Sequence, residues 1–192
     1  GIINAAPGSS NHNLNKNNQG TFTIQGTTSN FRGNVNLAGG TLSIGTFGAI
    51  NSGASGALQM SAGALSFTGV PVTGAGETVT KAINLSGTTA LGAILANQAG
   101  TSPSALVISN SISATGAGVK TLFLGGSASS SIINQVSGVI EDNSATNTTS
   151  LTKVGTATWL YSPTVASYGT APGGVTVTAG GAVQTNSFTV SS

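Results

Sequence analysis

The stretch NVNLAGGTLSIG, residues 34–45, contains the pattern that decides the fold of this chain. Val35 and Leu37 alternate with polar residues, and a pair of glycines follows. Leu42 and Ile44 then alternate with Thr and Ser. A period of two places apolar side chains on one face of a strand and polar side chains on the other. Glycine tolerates a positive φ, so the stretch predicts two short strands separated by a tight glycine corner.

The same pattern recurs along the chain. Short alternating runs end at glycine or at small residues in TFTIQG (21–26), ALSFTG (64–69), AINLSG (82–87), ALVIS (105–109), TLFLGG (121–126), GVTVTAGG (174–181) and SFTVSS (187–192). Apolar residues at helical spacing are not found. Glycine occupies 29 of the 192 positions, which suits a chain with many tight corners. The sequence therefore predicts an all-β protein.

Internal repetition distinguishes the two architectures that short strands fit, a Greek-key β-sandwich and a β-solenoid. The phrase at 38–45 returns at 62–67 and at 179–183, and the phrase around Lys16 returns around Lys153. Repetition favours the solenoid, with the β-sandwich as the alternative. We predict one domain, residues 1–192, folded as a right-handed parallel β-helix with Gly-rich corners, either a whole subunit or a segment of a longer rod. At about 20 to 25 residues a coil, the chain would form about eight or nine coils.

Composition excludes several classes of function. Five basic and three acidic residues make up only 4% of the chain, whereas soluble domains usually have about 25% charged residues. The basic residues are scattered, so no cluster could neutralise a row of phosphates, and we expect no nucleic-acid partner. Without cysteine there is no disulfide and no thiolate metal site. No stretch approaches the roughly 20 apolar residues of a membrane span, so we expect no membrane insertion.

Charge scarcity also fits a stacked fold. Stacked charges would repel one another at a spacing of ~4.8 Å, whereas Thr, Ser and Asn can form hydrogen-bonded ladders. The composition is typical of proteins outside bacterial cells, and we expect an extracellular location.

Few residues of this chain are candidates for catalysis. A polysaccharide hydrolase needs two carboxylates about 5 to 9 Å apart, and only Glu77, Glu141 and Asp142 are acidic. We expect all three in solvated turns. His12 is the only histidine, and it lies in a polar segment that we expect to be solvated. Because no phosphate-binding glycine motif, nucleophile elbow or calcium loop occurs either, we predict no enzyme, no cofactor and no metal.

The region 136–186 resembles the autotransporter-associated β-strand repeat. Its matching residues are Leu151, Thr152, Lys153, Gly155, Thr158, Trp159, Leu160, Tyr168, Gly169, Val175, Val177, Ala179 and Gly180. Ala157 and Val183 depart from the repeat, which prefers Gly and Leu at these positions. A weaker copy spans 14–45. The resemblance implies a parallel β-helical passenger of a bacterial surface protein and supplies no catalytic residues.

Two functions remain open at this level. The first is a structural building block of a surface fibre, sheath or layer. The ends of a solenoid are open strand edges, and the neutral terminal runs GIIN and SFTVSS suit β-addition. We therefore predict a head-to-tail homopolymer. The residues assigned to this contact are Gly1, Ile2, Ile3, Asn4, Phe188 and Val190.

The second function is an adhesin or carbohydrate-binding passenger with surface glycans as partners. In it, Trp159, Tyr161 and Tyr168 would form a platform on which sugars stack. Alternation places Trp159 and Tyr161 on the same face of a strand. A packing role for these rings in the core or at a corner is the favoured interpretation. An ice-binding solenoid is less favoured because the Thr-x-Thr pairs are isolated.

Overall fold

The computed structural model describes residues 12–25, 31–50, 56–69, 77–98, 105–163, 175–177 and 183–185. These residues contain fifteen β-strands and one short 3₁₀ helix, Phe47–Ile50. The strands are β1 (Leu14–Lys16), β2 (Thr21–Ile24), β3 (Val35–Ile44), β4 (Ala57–Phe67), β5 (Glu77–Val79), β6 (Ala82–Leu85), β7 (Leu91–Ala96), β8 (Leu106–Ile108), β9 (Ile112–Ala114), β10 (Lys120–Gly125), β11 (Ile133–Val136), β12 (Thr149–Lys153), β13 (Thr158–Tyr161), β14 (Val175–Val177) and β15 (Val183–Thr185).

The described strands form two ladders in which every pairing is parallel. The first ladder has the order β1-β3-β4-β7-β10-β12-β14, with β2, β6 and β9 attached beside this path. The second has the order β15-β13-β11-β8-β5. A strand inside a ladder therefore pairs with the strands one coil before and one coil after it, and a strand at the end of a ladder has one described partner. The prediction of an all-β parallel solenoid is confirmed, and the antiparallel sandwich is excluded.

The coils are longer than the sequence suggested. Paired residues are separated by 20 positions at Thr21 and Thr41 and by 30 at Leu91 and Thr121. Within the described residues, about five turns carry strands of both ladders. The expectation of eight or nine coils is therefore wrong, because loops between the strands, such as 141–148, lengthen the later coils.

Apolar residues stack in columns inside the solenoid. One column joins residues of six coils through paired positions, namely Leu14, Val35, Leu58, Ile83, Ile112 and Ile140. Another joins Leu42, Leu65, Ile94 and Leu124. Each fully buried aliphatic side chain contributes about 1.5 to 3 kcal/mol. The alternation seen in residues 34–45 is therefore the local form of a core that extends along the axis.

The glycine corner predicted within residues 34–45 is present, although β3 runs through it as one bent strand. The register shifts at Ala38, just before the corner. Gly40 and Gly63 have φ values of 64° and 89°, in the region that favours glycine. A Cβ on Gly63 would lie 2.8 Å from the carbonyl oxygen of Gly40. Both the backbone conformation and the close approach of successive coils thus require glycine at Gly63.

Candidate functional site

The residues predicted to mediate self-association lie outside the described part of the chain. These residues are Gly1, Ile2, Ile3, Asn4, Phe188 and Val190. What the structure does describe is the first coil, in which β1 and β2 pair only with β3 among the described strands. Phe22 on β2 is 39% exposed. One edge of each of these strands thus has no strand partner within the described residues.

The geometry of β1 shows which backbone groups point to that edge. The Leu14 N–H donates to the Asn34 carbonyl oxygen at 2.9 Å. Because bonding directions alternate along a parallel strand, the Asn15 N–H and C=O point away from β3. Asn15 therefore presents a donor and an acceptor at the edge of the first described coil.

The aromatic residues considered for sugar stacking belong to the core. The Trp159 side chain has 0% exposure, and its Nε1–H donates to the Gly125 carbonyl oxygen at 2.9 Å. Tyr161 is buried two positions further, and its hydroxyl oxygen accepts from the Ile140 N–H at 3.3 Å. Burial raises the pKa of Tyr161, and the bond from Ile140 opposes this. Tyr168 lies outside the described residues.

This burial speaks against the sugar-stacking interpretation for the two rings that the structure describes. Trp159 is paired with Asn134 of the coil before, and Tyr161 with Val136. Their alternation on one face is as expected from the sequence, but that face points into the solenoid.

The three carboxylates do not share one environment. Glu77 is the first residue of β5, and its Oε1 accepts from the Phe47 N–H of the 3₁₀ helix at 2.7 Å. Burial raises the pKa of Glu77, and hydrogen bonds from the Phe47 and Gly48 N–H groups oppose the shift. The expectation of a solvated turn is therefore wrong for Glu77, because this residue is partly buried in a strand and its carboxylate accepts from the 3₁₀ helix.

The other two acidic residues lie in the loop before β12. Glu141 is exposed there, and the Asp142 Oδ1 accepts from the Thr149 N–H at 2.5 Å. Both follow Ile140, which pairs with Ile112 of the first ladder. Glu77 belongs to the second ladder, so it lies on a different wall of the solenoid from Glu141 and Asp142.

The described residues show little else that could bind a ligand or span a membrane. His12 is exposed. No group of three or more His, Cys, Asp or Glu side chains within the described ranges could hold a metal ion. None of the helical residues that the structure describes forms a segment long and apolar enough to span a bilayer.

Lysines at the glycine corners are a feature that sequence reasoning missed. The Lys120 Nζ donates to three carbonyl oxygens, those of Gly116, Ala117 and Gly118, at 3.1, 2.9 and 2.7 Å. The Lys153 Nζ donates to the carbonyl oxygens of the two residues that follow it, at 2.9 and 2.7 Å. Both lysines are buried. An ammonium that donates to carbonyls satisfies the backbone of a corner that the ladders do not pair.

The repeated Lys phrase was the available signal for this role. The Lys16 Nζ likewise donates to the Gly39 carbonyl oxygen, at 3.1 Å, across to the next coil. Burial lowers the pKa of Lys153 and also of Lys81, which is buried as well. The sequence showed only that the basic residues are scattered, whereas in the structure the ammonium groups of Lys16, Lys120 and Lys153 bond to corner carbonyls.

The outer face of the first five described coils has a polar ladder, as the composition led us to expect. It consists of Asn15, Asn36, Gln59, Asn84 and Ser113, which are paired in register on successive strands. The Asn36 Nδ2 donates to the Asn15 Oδ1 at 2.6 Å, and the Asn84 Nδ2 donates to the Gln59 Oε1 at 2.7 Å. These side chains are neutral and stabilise one another, so the ladder is a structural element of the coil stack.

Comparison with known proteins does not place this chain in a family. No family model, no curated protein and no solved structure matches it. The resemblance to the autotransporter-associated β-strand repeat therefore stays a prediction, and the function is argued from the solenoid itself.

Proposed function

We propose that this chain is a structural building block of a fibre or layer outside the bacterial cell, in which copies associate end to end. The observation that carries the proposal is the edge of the first described coil, where β1 and β2 pair only with β3 among the described strands. A strand edge of this kind is a template for another strand.

The chemistry of the chain supports a structural role. Its largest described aromatic side chain, Trp159, packs in the core, and buried lysines such as Lys120 bond to corner carbonyls. Only 4% of the residues are charged, so little repulsion would oppose the addition of one copy to another. A contact between the two different ends of a solenoid extends into a filament unless the rotation between copies closes it into a ring.

The adhesin alternative has less support. Trp159 and Tyr161, two of its three stacking residues, are buried. A glycan-binding passenger would therefore need other surfaces of the molecule.

Electron microscopy of the purified protein after negative staining tests the proposal. We expect rods that lengthen with protein concentration. Removal of Gly1–Asn4, or replacement of Phe188 and Val190 by lysine, is expected to give monomers. If both variants polymerise like the parent chain, the terminal segments are not the contact.

A second pair of variants tests the described edge. Asn15→Pro removes the N–H that points away from β3, while the Leu14 hydrogen bond to Asn34 remains. Asn15→Ala is the matched control, because it loses the same side chain and keeps the N–H. We expect shorter rods for the proline variant than for the alanine variant, and equal lengths would refute pairing through this edge.

A further inference from the structure

We infer that this protein has a second self-association surface, through which two copies pack side by side. The surface is the outward side of β7, β10 and β12, and we call it the outer apolar face. Its apolar residues are Leu91, Ala93, Leu95, Val119, Phe123 and Val154. The inference extends the proposed fibre to the contact between fibres, although the contact itself is independent of end-to-end growth.

The outer apolar face is continuous across neighbouring coils. Leu91 and Val119 are 50% and 52% exposed, which makes them the most exposed large apolar side chains of the described residues. Phe123 pairs with Ala93 and is partly exposed. A Cβ on Gly125 would lie 2.6 Å from Val154 Cγ2 and 3.2 Å from Leu95 Cδ2. Val154 and Leu95 thus both pack over Gly125 and form one surface with it.

Two of the three hydroxyl groups on the outward side of β10 and β12 have partners, and the third belongs to Thr152. The hydroxyl oxygens of Thr121 and Ser150 lie 3.1 Å apart and share a hydrogen bond. The Ser150 Oγ also lies 3.3 Å from the Lys120 carbonyl oxygen, to which it donates. Covering the face would leave neither of these two hydroxyls unpaired, so only the Thr152 hydroxyl would incur the loss of about 1 to 3 kcal/mol for an unsatisfied polar group.

The charges of the same strands do not reach this face. Lys120 and Lys153 are buried, and both ammonium groups bond to corner carbonyls. The outer apolar face is therefore neutral, and two copies of it would not repel each other. A two-fold contact requires a surface that complements its own copy, and a neutral face has no like charges that would oppose this. Its apolar side chains suit a protein partner better than a sugar, which hydrogen-bonding groups would have to orient.

The size of the face sets the strength of the contact. Three strands ~4.8 Å apart and five residues at ~3.3 Å each cover roughly 14 by 17 Å. Two such faces would bury about 500 Å², well below the ~1,200 Å² of a stable interface. A single contact is therefore weak and transient. Repetition along a fibre would add many such contacts, so parallel fibres would bundle although monomers do not form stable dimers.

Cysteine cross-linking detects such a weak contact. The chain contains no cysteine, so a single engineered thiol can form a disulfide only between copies. Thr121→Cys places the thiol on the outer apolar face, and Thr78→Cys places the control thiol on an exposed position of β5. Each rate of disulfide formation is divided by the rate of alkylation by iodoacetamide, which corrects for thiol reactivity. We expect Thr121→Cys to cross-link at least about tenfold faster, because the contact raises the local thiol concentration.

Leu91→Lys, added to the Thr121→Cys variant, tests whether the faster cross-linking is caused by the outer apolar face. Leu91 is half exposed, so lysine is tolerated there, and circular dichroism checks the fold. We expect cross-linking to fall to the Thr78→Cys rate, because two copies would then oppose like charges. The inference is overturned if Thr121→Cys is no faster than Thr78→Cys, or if Leu91→Lys changes nothing. Binding of a neutral polysaccharide that Leu91→Lys abolishes, without cross-linking, would assign the face to a glycan and equally overturn it.

Microscopy of the same samples separates this inference from the proposed function. Rods that remain single in the Leu91→Lys variant, and bundle in the parent chain, agree with both. Cross-linking through Thr121→Cys without any rods would refute end-to-end assembly and leave the lateral contact standing. Rods without cross-linking would refute the lateral contact alone.

Discussion

Replacement of Trp159 by alanine tests the central packing feature of the later coils. The indole is fully buried, and its N–H donates to the Gly125 carbonyl oxygen at 2.9 Å. Deleting a buried Trp costs about 3 to 5 kcal/mol, since the surrounding coils cannot collapse into the cavity. At roughly 2 to 4 °C per kcal/mol for a domain of this size, we expect Tm to fall by about 6 to 20 °C.

Thermal unfolding followed by far-UV circular dichroism is the assay, because the variant loses the only tryptophan fluorophore. Trp159→Phe is the matched control: it keeps most of the packing and loses the N–H. We expect it to cost about 1 to 3 kcal/mol, mainly for the Gly125 carbonyl left without a donor. An unchanged melting temperature for Trp159→Ala would refute the reasoning. It would show that the ring is exposed and is a candidate for ligand stacking.

Three further predictions concern corners and buried charge. Gly63→Ala should destabilise the fold more than Gly20→Ala. Both glycines have φ near 89°, but only Gly63 has a backbone oxygen 2.8 Å from the new Cβ. Equal midpoints of urea unfolding would contradict this prediction. Burial raises the pKa of Glu77, so the folded chain holds this proton more tightly than the unfolded chain, and the free energy of unfolding should fall as pH rises above the ordinary glutamate pKa of about 4.3. Glu77→Gln should remove that part of the pH dependence, and an unaltered profile would exclude Glu77 as its source. Lys120→Met should lower stability by about 3 kcal/mol or more, because three corner carbonyls lose a charged donor; a stability equal to the parent chain would show that relief from burying the charge offsets those bonds.

Local patterns carried most of the fold prediction. The alternation around Val35 and Leu42 places side chains on two faces of a strand whatever the strand pairs with, and a glycine pair permits a corner in any context. The internal repeats then favoured parallel stacking over a sandwich. The coil count was wrong because loop residues such as those at 141–148 have no periodicity, so the sequence does not show which of them belong to a coil.

The candidate site was less accessible to sequence reasoning. The terminal residues assigned to self-association lie outside the described residues, so that assignment stays a prediction. Phe22 and Asn15 at the described edge were not singled out beforehand, because an edge is defined by the absence of a neighbour in space. The outer apolar face was missed for a similar reason, since Leu91, Phe123 and Val154 are distant in sequence and meet only through coil register.

The sequence by itself determined that this protein is an all-β chain of short strands with glycine corners and little charge, because strand alternation and glycine torsions are properties of neighbouring residues. Only the tertiary structure decided which residues of different coils meet. In it Trp159 is buried and bonds to Gly125, Lys120 and Lys153 donate to corner carbonyls, and Leu91 is exposed. The physical reason is that burial depends on the register between coils 20 to 30 residues apart, and a one-residue change of register would exchange the inner and outer faces of a strand.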